Sequence, residues 1–188
     1  MSLVAALQPV VEAFERLGVP YLVGGSVASS AHGSPRSTND VDLVAGLRAE
    51  HVEPLRAALG ADYYAPAELL FEAIRRRTCA NLLHIATGFK IDIFVPPEGV
   101  YETTSMARAV LRDLAPGSRT FRVYAAEDIL LRKLLWFRAG DEVSDRHWND
   151  ILGILRLRRS TLDHAYLDEW AAHLAVADLL ARARRDAS

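Results

Sequence analysis

Cysteine is almost absent from the sequence: Cys79 is the one thiol among 188 residues. An internal disulfide is therefore excluded, and so is a metal site built from several cysteines. The residues around it, RRRTCANLLHI, are typical of a strand, which favours a buried and unreactive thiol over a nucleophile. The six histidines show no zinc-ligand spacing, and we expect structural roles for His32 and His84.

Long apolar runs and a targeting leader are lacking as well. No apolar stretch approaches the roughly 20 residues that a transmembrane helix needs. The first segment, MSLVAALQPVVEAFERLG, has no basic leader and carries Glu12 and Glu15, so it does not have the pattern of a secretory signal. We therefore expect no membrane partner and a cytoplasmic location.

Neither sign of charge is in large excess. The 22 lysines and arginines and the 24 aspartates and glutamates give a formal net charge of −2, so a general attraction to nucleic acid is not indicated. The basic runs RRR, RLRR and RARR are interpreted as solvated helix faces, with contact to an RNA acceptor as the alternative.

The chain has two differently patterned parts. Up to Tyr124, short apolar strands alternate with amphipathic helices, and from Ala126 onward the pattern is helical throughout. This order predicts an α/β or α+β core over residues 1–124, followed by a helical C-terminal region over 125–188. Within it, CANLLHIATGFKIDIFVP predicts a hairpin that turns at Thr87-Gly88. YETTSMARAVLRDL predicts one helix, and TLDHAYLDEWAAHLAVADLLARARRD another.

Three aspartates are placed so that they suggest a metal site. Asp40 and Asp42 are two residues apart on a predicted strand, so both side chains leave the same face. Neighbouring carboxylates repel each other unless a cation lies between them, and magnesium prefers such oxygen ligands. Asp92 interrupts the apolar run IDIFV, where a lone acid is costly without a partner. We interpret the three as one site for two metal ions. Taken singly, the aspartates are better explained by structural roles: Asp40 as a turn cap, Asp42 as a solvated side chain and Asp92 as a residue on an exposed strand face.

A glycine-rich turn precedes the acidic strand. Gly24 and Gly25 lie between a predicted strand and a predicted helix, where the missing Cβ atoms let the backbone bend sharply and approach a ligand. Ser26 begins the helix, where free N–H groups and the helix dipole favour phosphate. Serine is also an ordinary helix cap, so the position of this turn just upstream of the acids carries the interpretation.

These elements together resemble a known signature. The segment GGSVASSAHGSPRSTNDVDL is similar to that of the nucleotidyltransferase superfamily, the polymerase-β-like fold. The matching residues are Gly24, Gly25, Ser26, Arg36, Thr38, Asp40 and Asp42, and Asp92 matches the third acid of the family. The later segment EDILLRKLLWFRAGDEVSDRHWNDILGIL resembles the helical region of AbiEii-like toxin nucleotidyltransferases, with Lys133 and Asp150 at a lysine and an acid found there.

The resemblance implies a mixed sheet flanked by helices and transfer of a nucleotidyl group from an NTP to an acceptor hydroxyl. It implies that Asp40 and Asp42 hold the Mg²⁺ or Mn²⁺ ion bound to the triphosphate, and that Asp92 shares a second metal ion and helps to deprotonate the acceptor. The nucleotide site would be formed by Gly24, Gly25, Ser26, Arg36, Thr38, Lys133 and Asp150.

The roles of four further residues are left open. Arg36 either pairs with phosphate or holds its own loop. Lys133 either binds phosphate or is a surface lysine. Arg146 and Asp150 face the cleft or water.

Three functions are compatible with these residues. The first is an active nucleotidyltransferase, as the toxin of a toxin–antitoxin pair, with an antitoxin partner and with tRNA, a protein or a small molecule as acceptor. The second is a non-catalytic nucleotide-binding module on the same fold, which the retained acids disfavour. The third is an aminoglycoside-modifying enzyme, which requires an acidic pocket that the arginine-rich helices do not obviously provide.

Overall fold

A mixed β-sheet forms the centre of the computed structural model, which describes residues 3–33 and 37–188. Its strands are β1 (Tyr21–Val23), β2 (Asp40–Ala45), β3 (Tyr63–Tyr64), β4 (Cys79–His84), β5 (Lys90–Phe94), β6 (Val110–Asp113) and β7 (Thr120–Val123). Their spatial order is β3-β4-β5-β2-β1-β7-β6. The pairs β2–β5 and β1–β7 are parallel, and the other neighbours are antiparallel. The predicted α/β class is confirmed.

Helices cover the sheet and then continue beyond it. They are α1 (Leu3–Arg16), α2 (Gly25–His32), α3 (Val52–Leu59), α4 (Ala67–Arg76), α5 (Val100–Ala107), α6 (Ala126–Ala139), α7 (Asp145–Arg158), α8 (His164–His173) and α9 (Ala177–Asp186). Short 3₁₀ turns lie at Ala49–His51 and Gly60–Asp62. No helix in the described ranges is long and apolar enough to span a membrane.

The hydrophobic core runs through both parts of the chain. Leu7 and Phe14 of α1 are fully buried, as are Leu43 of β2 and Ile93 of β5. The same continuous cluster includes α6, whose Leu134 is also fully buried. The change from sheet to helices falls between β7 and α6, near the predicted boundary. The division into two domains stays a prediction.

Two of the predicted helices are wrong in their extent. The segment predicted as one helix from Tyr101 ends its helix at Ala107, and Val110–Asp113 forms β6. Its residues pair antiparallel with β7, and these ladder hydrogen bonds outweigh the local helical preference. The last predicted helix is two helices, because Ala175 adopts a left-handed conformation with φ of 56° between them. This turn lets α9 pack back against α7.

Helix α2 is held at its C-terminal end by three other elements. The ring of His32 is buried and its Nε2 lies 2.7 Å from the carbonyl oxygen of Tyr124. Arg158 of α7 donates to the carbonyls of Ala31 and His32. Helices α6 and α7 both pack against α2. The opposite end of α2, which carries the glycine turn, is thereby fixed beside β2.

Candidate active site

The three predicted acids lie on one face of two adjacent strands. Asp40 and Asp42 extend from the same side of β2 because side chains alternate along a strand. Strand β5 is the parallel neighbour of β2, and the register places Asp92 directly beside Asp42 and Lys90 beside Asp40. The structure therefore brings together the three acids that the sequence suggested as one site.

Both carboxylate oxygens of Asp92 are already bonded. Lys90 Nζ forms an ion pair with Oδ2 at 2.8 Å, and Asn81 of β4 donates from its amide nitrogen to Oδ1. Asn81 is the residue opposite Asp92 in the antiparallel β4–β5 pair. In the described parts of the chain, no three acidic, histidine or cysteine side chains converge on a point where they could share a metal ion.

The surroundings of Asp42 disfavour the charged form of its carboxyl group. The pKa of its carboxyl is raised to about 6, mainly by burial, and the negative charges of Asp40 and Asp92 contribute to this rise. The positive charges of Lys133 and Lys90 act against them. A divalent cation on this face would remove the repulsion between the carboxylates. Carboxylate oxygens are the ligands that magnesium and manganese prefer, so the chemistry of these acids fits such an ion, although the three side chains do not converge on one point in the described structure.

The glycine turn packs directly against Asp42. Gly25 begins α2 with φ of 54°, and a Cβ atom there would overlap the Asp42 carboxylate. Gly24 donates its N–H to the carbonyl of Asp42 at 2.8 Å, and a Cβ on Gly24 would meet the ring of Tyr124 at 3.4 Å. Glycine is needed at position 25 both for the left-handed backbone and for the space that the acid occupies.

A chain of hydroxyl groups connects α2 with the acids. The hydroxyl of Ser26, which is buried, donates to Thr38 Oγ1 at 3.1 Å. The Thr38 hydroxyl donates to Asp40 Oδ1 at 2.5 Å. The predicted residues Ser26 and Thr38 thus orient one another and Asp40. Arg36, which was also predicted for this site, lies outside the described residues.

Lys133 and Asp150 form an ion pair between α6 and α7. Lys133 Nζ lies 2.6 Å from Asp150 Oδ2, and the side chains are 2% and 7% exposed. Lys133 is therefore not a surface lysine. It also lines the same cleft as Gly25, Ser26 and Asp42. Its positive charge acts to lower the pKa of Asp42, against the effect of burial.

A cleft of about 420 Å³ opens over these residues. Its far wall contains Phe94, Trp136, Arg146 and His147. The rings of Phe94 and Trp136 lie 5.8 Å apart, and those of Trp136 and His147 lie 6.4 Å apart. Arg146, left open between cleft and water, faces the cleft. The sequence reasoning did not single out Trp136, although its position three residues after Lys133 puts both on one face of α6.

The remaining candidates have structural surroundings. Burial raises the pKa of the Cys79 thiol to about 12, so it is a poor nucleophile, as expected. His84 pairs with the Thr87 hydroxyl at 2.7 Å, and its ring lies 4.9 Å from the Tyr63 ring at an angle of 49°. Burial lowers the pKa of His32, which keeps that ring neutral beside the Tyr124 carbonyl.

Known proteins give two independent comparisons. The family model described as "Nucleotidyl transferase AbiEii toxin, Type IV TA system" matches residues 11–186. The solution structure of the antibiotic-resistance factor ANT(2'')-Ia is similar, with a TM-score of 0.51, 15% identity and coverage of 95% of this chain and 96% of that one. The crystal structure of ANT(2'')-Ia in complex with adenylyl-2''-tobramycin gives a TM-score of 0.52 at 17% identity, covering 92% and 96%. No curated protein sequence matches.

These comparisons also establish the fold. The ANT(2'')-Ia structures have the polymerase-β-like nucleotidyltransferase fold, and at this level of identity their likeness to the chain concerns the fold alone. The predicted polymerase-β-like core with a mixed sheet flanked by helices is confirmed.

Proposed function

Because the chain belongs to the AbiEii nucleotidyl transferase toxin family and is a nucleotidyltransferase, we propose that it moves NMP from an NTP to an acceptor hydroxyl with the help of Mg²⁺ or Mn²⁺. The observation that carries this proposal is the packing of Gly25 against Asp42, with Asp92 in direct register beside it. A phosphate-binding turn and a pair of acids are thereby held within contact distance of each other.

Asp40 and Asp42 would hold the divalent cation. Asp40 is oriented by the Thr38 hydroxyl, and Asp42 is backed by the glycine turn. A bound cation would neutralise the charge that grows on the α-phosphate and on the leaving pyrophosphate. The raised pKa of Asp42 supports this assignment, because a carboxylate surrounded by like charges gains most from a cation.

The triphosphate would bind at the start of α2. The backbone N–H groups of the first turn, from Gly25 and Ser26 onward, have no helical acceptor and point out of the helix end. Gly24 has already turned its own N–H toward the Asp42 carbonyl. Lys133 and Arg146 line the same cleft and supply positive charge to the β- and γ-phosphates. We propose that Arg36 pairs with phosphate, which is one of the two roles that the sequence leaves open for it.

Asp92 would accept the proton of the acceptor hydroxyl. The acceptor oxygen then forms a bond to the α-phosphorus while the bond to the β-phosphate oxygen breaks, and pyrophosphate leaves. Lys90 and Asn81 orient the Asp92 carboxylate from two sides, which fixes its position for this step.

The family description supports a partner protein, whereas the acceptor is our own proposal. Membership in a type IV toxin–antitoxin family supports a toxin role and an antitoxin partner. We propose a macromolecular acceptor, tRNA or protein, in a cytoplasmic setting. The cleft wall of Trp136, Phe94 and His147 is suited to stacking on a nucleobase, and Arg146 on the same wall suits a phosphate backbone better than a cationic drug.

The test is transfer of label from each α-³²P-NTP into a cell extract with Mg²⁺. The wild-type chain should label RNA or protein, and the Asp40→Asn/Asp42→Asn double variant should not. The matched control is Asp62→Asn/Glu68→Gln, which neutralises two exposed acids outside the cleft and should label like wild type.

Other results of this assay would change the proposal. Label that persists in the Asp40→Asn/Asp42→Asn variant would contradict it. Transfer to an aminoglycoside such as tobramycin, with none to RNA or protein, would change the acceptor class. Nucleotide binding without transfer to any acceptor would favour the non-catalytic module.

A further inference from the structure

Lysine is rare in this chain and its placement is selective. The sequence contains only two lysines, Lys90 and Lys133, against 20 arginines. Both are beside the acids of the candidate active site: one pairs with Asp92, and the other lines the cleft with Asp42. A compact ammonium behaves as a point charge, whereas a guanidinium is a planar fork that needs more room. A lysine ammonium at each of these two places can lie close to a carboxylate in a space similar to that of a small cation.

Lys90 is surrounded by two of the three acids. It lies directly across from Asp40 in the β2–β5 register, and it is two residues before Asp92 on the same face of β5. Its Nζ is 2.8 Å from Asp92 Oδ2. A lysine is charged at neutral pH, so Lys90 brings one positive charge to this face of the sheet.

Each carboxylate oxygen of Asp92 already has one partner, and one of the two partners is a cation. Lys90 binds one of its oxygens and Asn81 donates to the other. A metal ion that took Asp92 as a ligand would have to displace the ammonium or meet its charge at close range.

The charges on this face balance with a single divalent cation. Asp40, Asp42 and Asp92 carry three negative charges when ionised, and Lys133 is paired with Asp150. Lys90 and one divalent cation together supply three positive charges. A second divalent cation would leave the face with an excess of positive charge before the triphosphate arrives.

We propose that Lys90 takes the place of the second metal ion, so that the site binds one divalent cation through Asp40 and Asp42 while Asp92 stays paired with the lysine. This inference rests on the proposed metal-dependent function and replaces the predicted sharing of a second metal by Asp92. Lys90 is a positioning residue: it holds and polarises the Asp92 carboxylate and does not itself touch the nucleotide.

The test counts Mn²⁺ ions bound per chain. Equilibrium dialysis with electron paramagnetic resonance detection of free Mn²⁺ is run at saturating α,β-methylene NTP, and a protein-free compartment accounts for nucleotide-bound metal. We expect one ion for wild type, two for Lys90→Met, and one for Lys90→Arg, because arginine keeps the positive charge. Lys90→Gln is the second neutral variant, and thermal melting shows that each variant is folded.

Each count decides between the alternatives. Two ions bound by wild type, or one ion bound by folded Lys90→Met and Lys90→Gln, would overturn the role of Lys90 and leave the proposed function intact. No ion bound by wild type, with nucleotide still bound, would overturn both. Asp42→Asn should lose the first ion, and this loss tests the metal premise independently of Lys90.

Discussion

The two lysine–aspartate pairs of this chain differ in burial, and the difference separates their roles. Lys133 and Asp150 join two helices and are 2% and 7% exposed. Lys90 and Asp92 are neighbours on one strand face and are 47% and 12% exposed. Water reaches the ammonium of the second pair and screens it, whereas the first pair is held in a low-dielectric interior. We infer that the buried pair fixes α6 against α7 and holds Lys133 in the cleft, and that the more exposed pair positions the Asp92 carboxylate.

The largest loss of stability is expected when one residue of the buried Lys133–Asp150 pair is replaced and the other is kept. Asp150→Ala leaves the Lys133 ammonium buried without its carboxylate, which should lower the free energy of unfolding by about 3 kcal/mol or more. Urea unfolding measures this loss. The control is Lys133→Met/Asp150→Leu, which removes both charges and should recover most of the stability. An equally large loss in the double variant would show that packing rather than charge is responsible.

The glycine turn sharpens the comparison, since it acts on Asp42 through steric contact instead of charge. Gly25→Ala places a Cβ where the Asp42 carboxylate lies, in a backbone with φ of 54°. We expect a loss of roughly 2–4 kcal/mol, with loss of nucleotide binding. Gly88→Ala is the matched control, because Gly88 has φ of 70° and open space around its Cβ position. It should cost about 1 kcal/mol. Equal losses would contradict the steric account.

The pH dependence of stability should report on Asp42. Its pKa rises from 3.8 in the unfolded chain to about 6 in the fold. Between these values the folded protein keeps a proton that the unfolded chain has lost, so stability falls as pH rises and the full cost is present above about pH 6.

In metal-free protein, Asp42→Asn should therefore be more stable than wild type by up to about 3 kcal/mol near pH 8 and little different near pH 3.5. Thermal melts in EDTA measure the difference across this range. Addition of Mg²⁺ should stabilise wild type and not the variant. An advantage that is the same at every pH would show that Asp42 titrates normally.

The smallest effect on stability is expected from the exposed pair. Lys90→Met should change the free energy of unfolding by no more than about 1 kcal/mol, because its ammonium is half-exposed and screened. Urea unfolding beside Asp150→Ala gives the direct comparison. A loss as large as that of Asp150→Ala would mean that Lys90 mainly stabilises the sheet, and would contradict a role for its charge in the active site.

Much of the site was visible in local sequence patterns. The alternation of Asp40 and Asp42, the glycine turn and the hydroxyls of Ser26 and Thr38 are short-range features, and their neighbours in the fold are the residues that local spacing indicated. Local sequence patterns did not predict β6. Its residues favour a helix, and their strand conformation depends on β7, which follows a turn later.

Other features depend on topology that local spacing cannot supply. The pairing of Asp42 with Asp92 requires β2 and β5 to be parallel neighbours, although about 50 residues separate them in the chain. The hairpin pairing of β4 and β5 places Asn81 beside Asp92, and a full register assignment of that hairpin could have found it. The cleft wall from Arg146 and His147 depends on how α7 packs against α6, which amphipathic patterns leave undefined.

The central claim is that two neighbouring acids perform different tasks in nucleotidyl transfer. The most direct test compares Asp42→Asn with Asp92→Asn in Mn²⁺-dependent nucleotide binding and in transfer of label from α-³²P-NTP. We predict that Asp42→Asn loses both, and that Asp92→Asn binds the nucleotide with one Mn²⁺ and transfers nothing. Undiminished transfer by either variant would contradict the account.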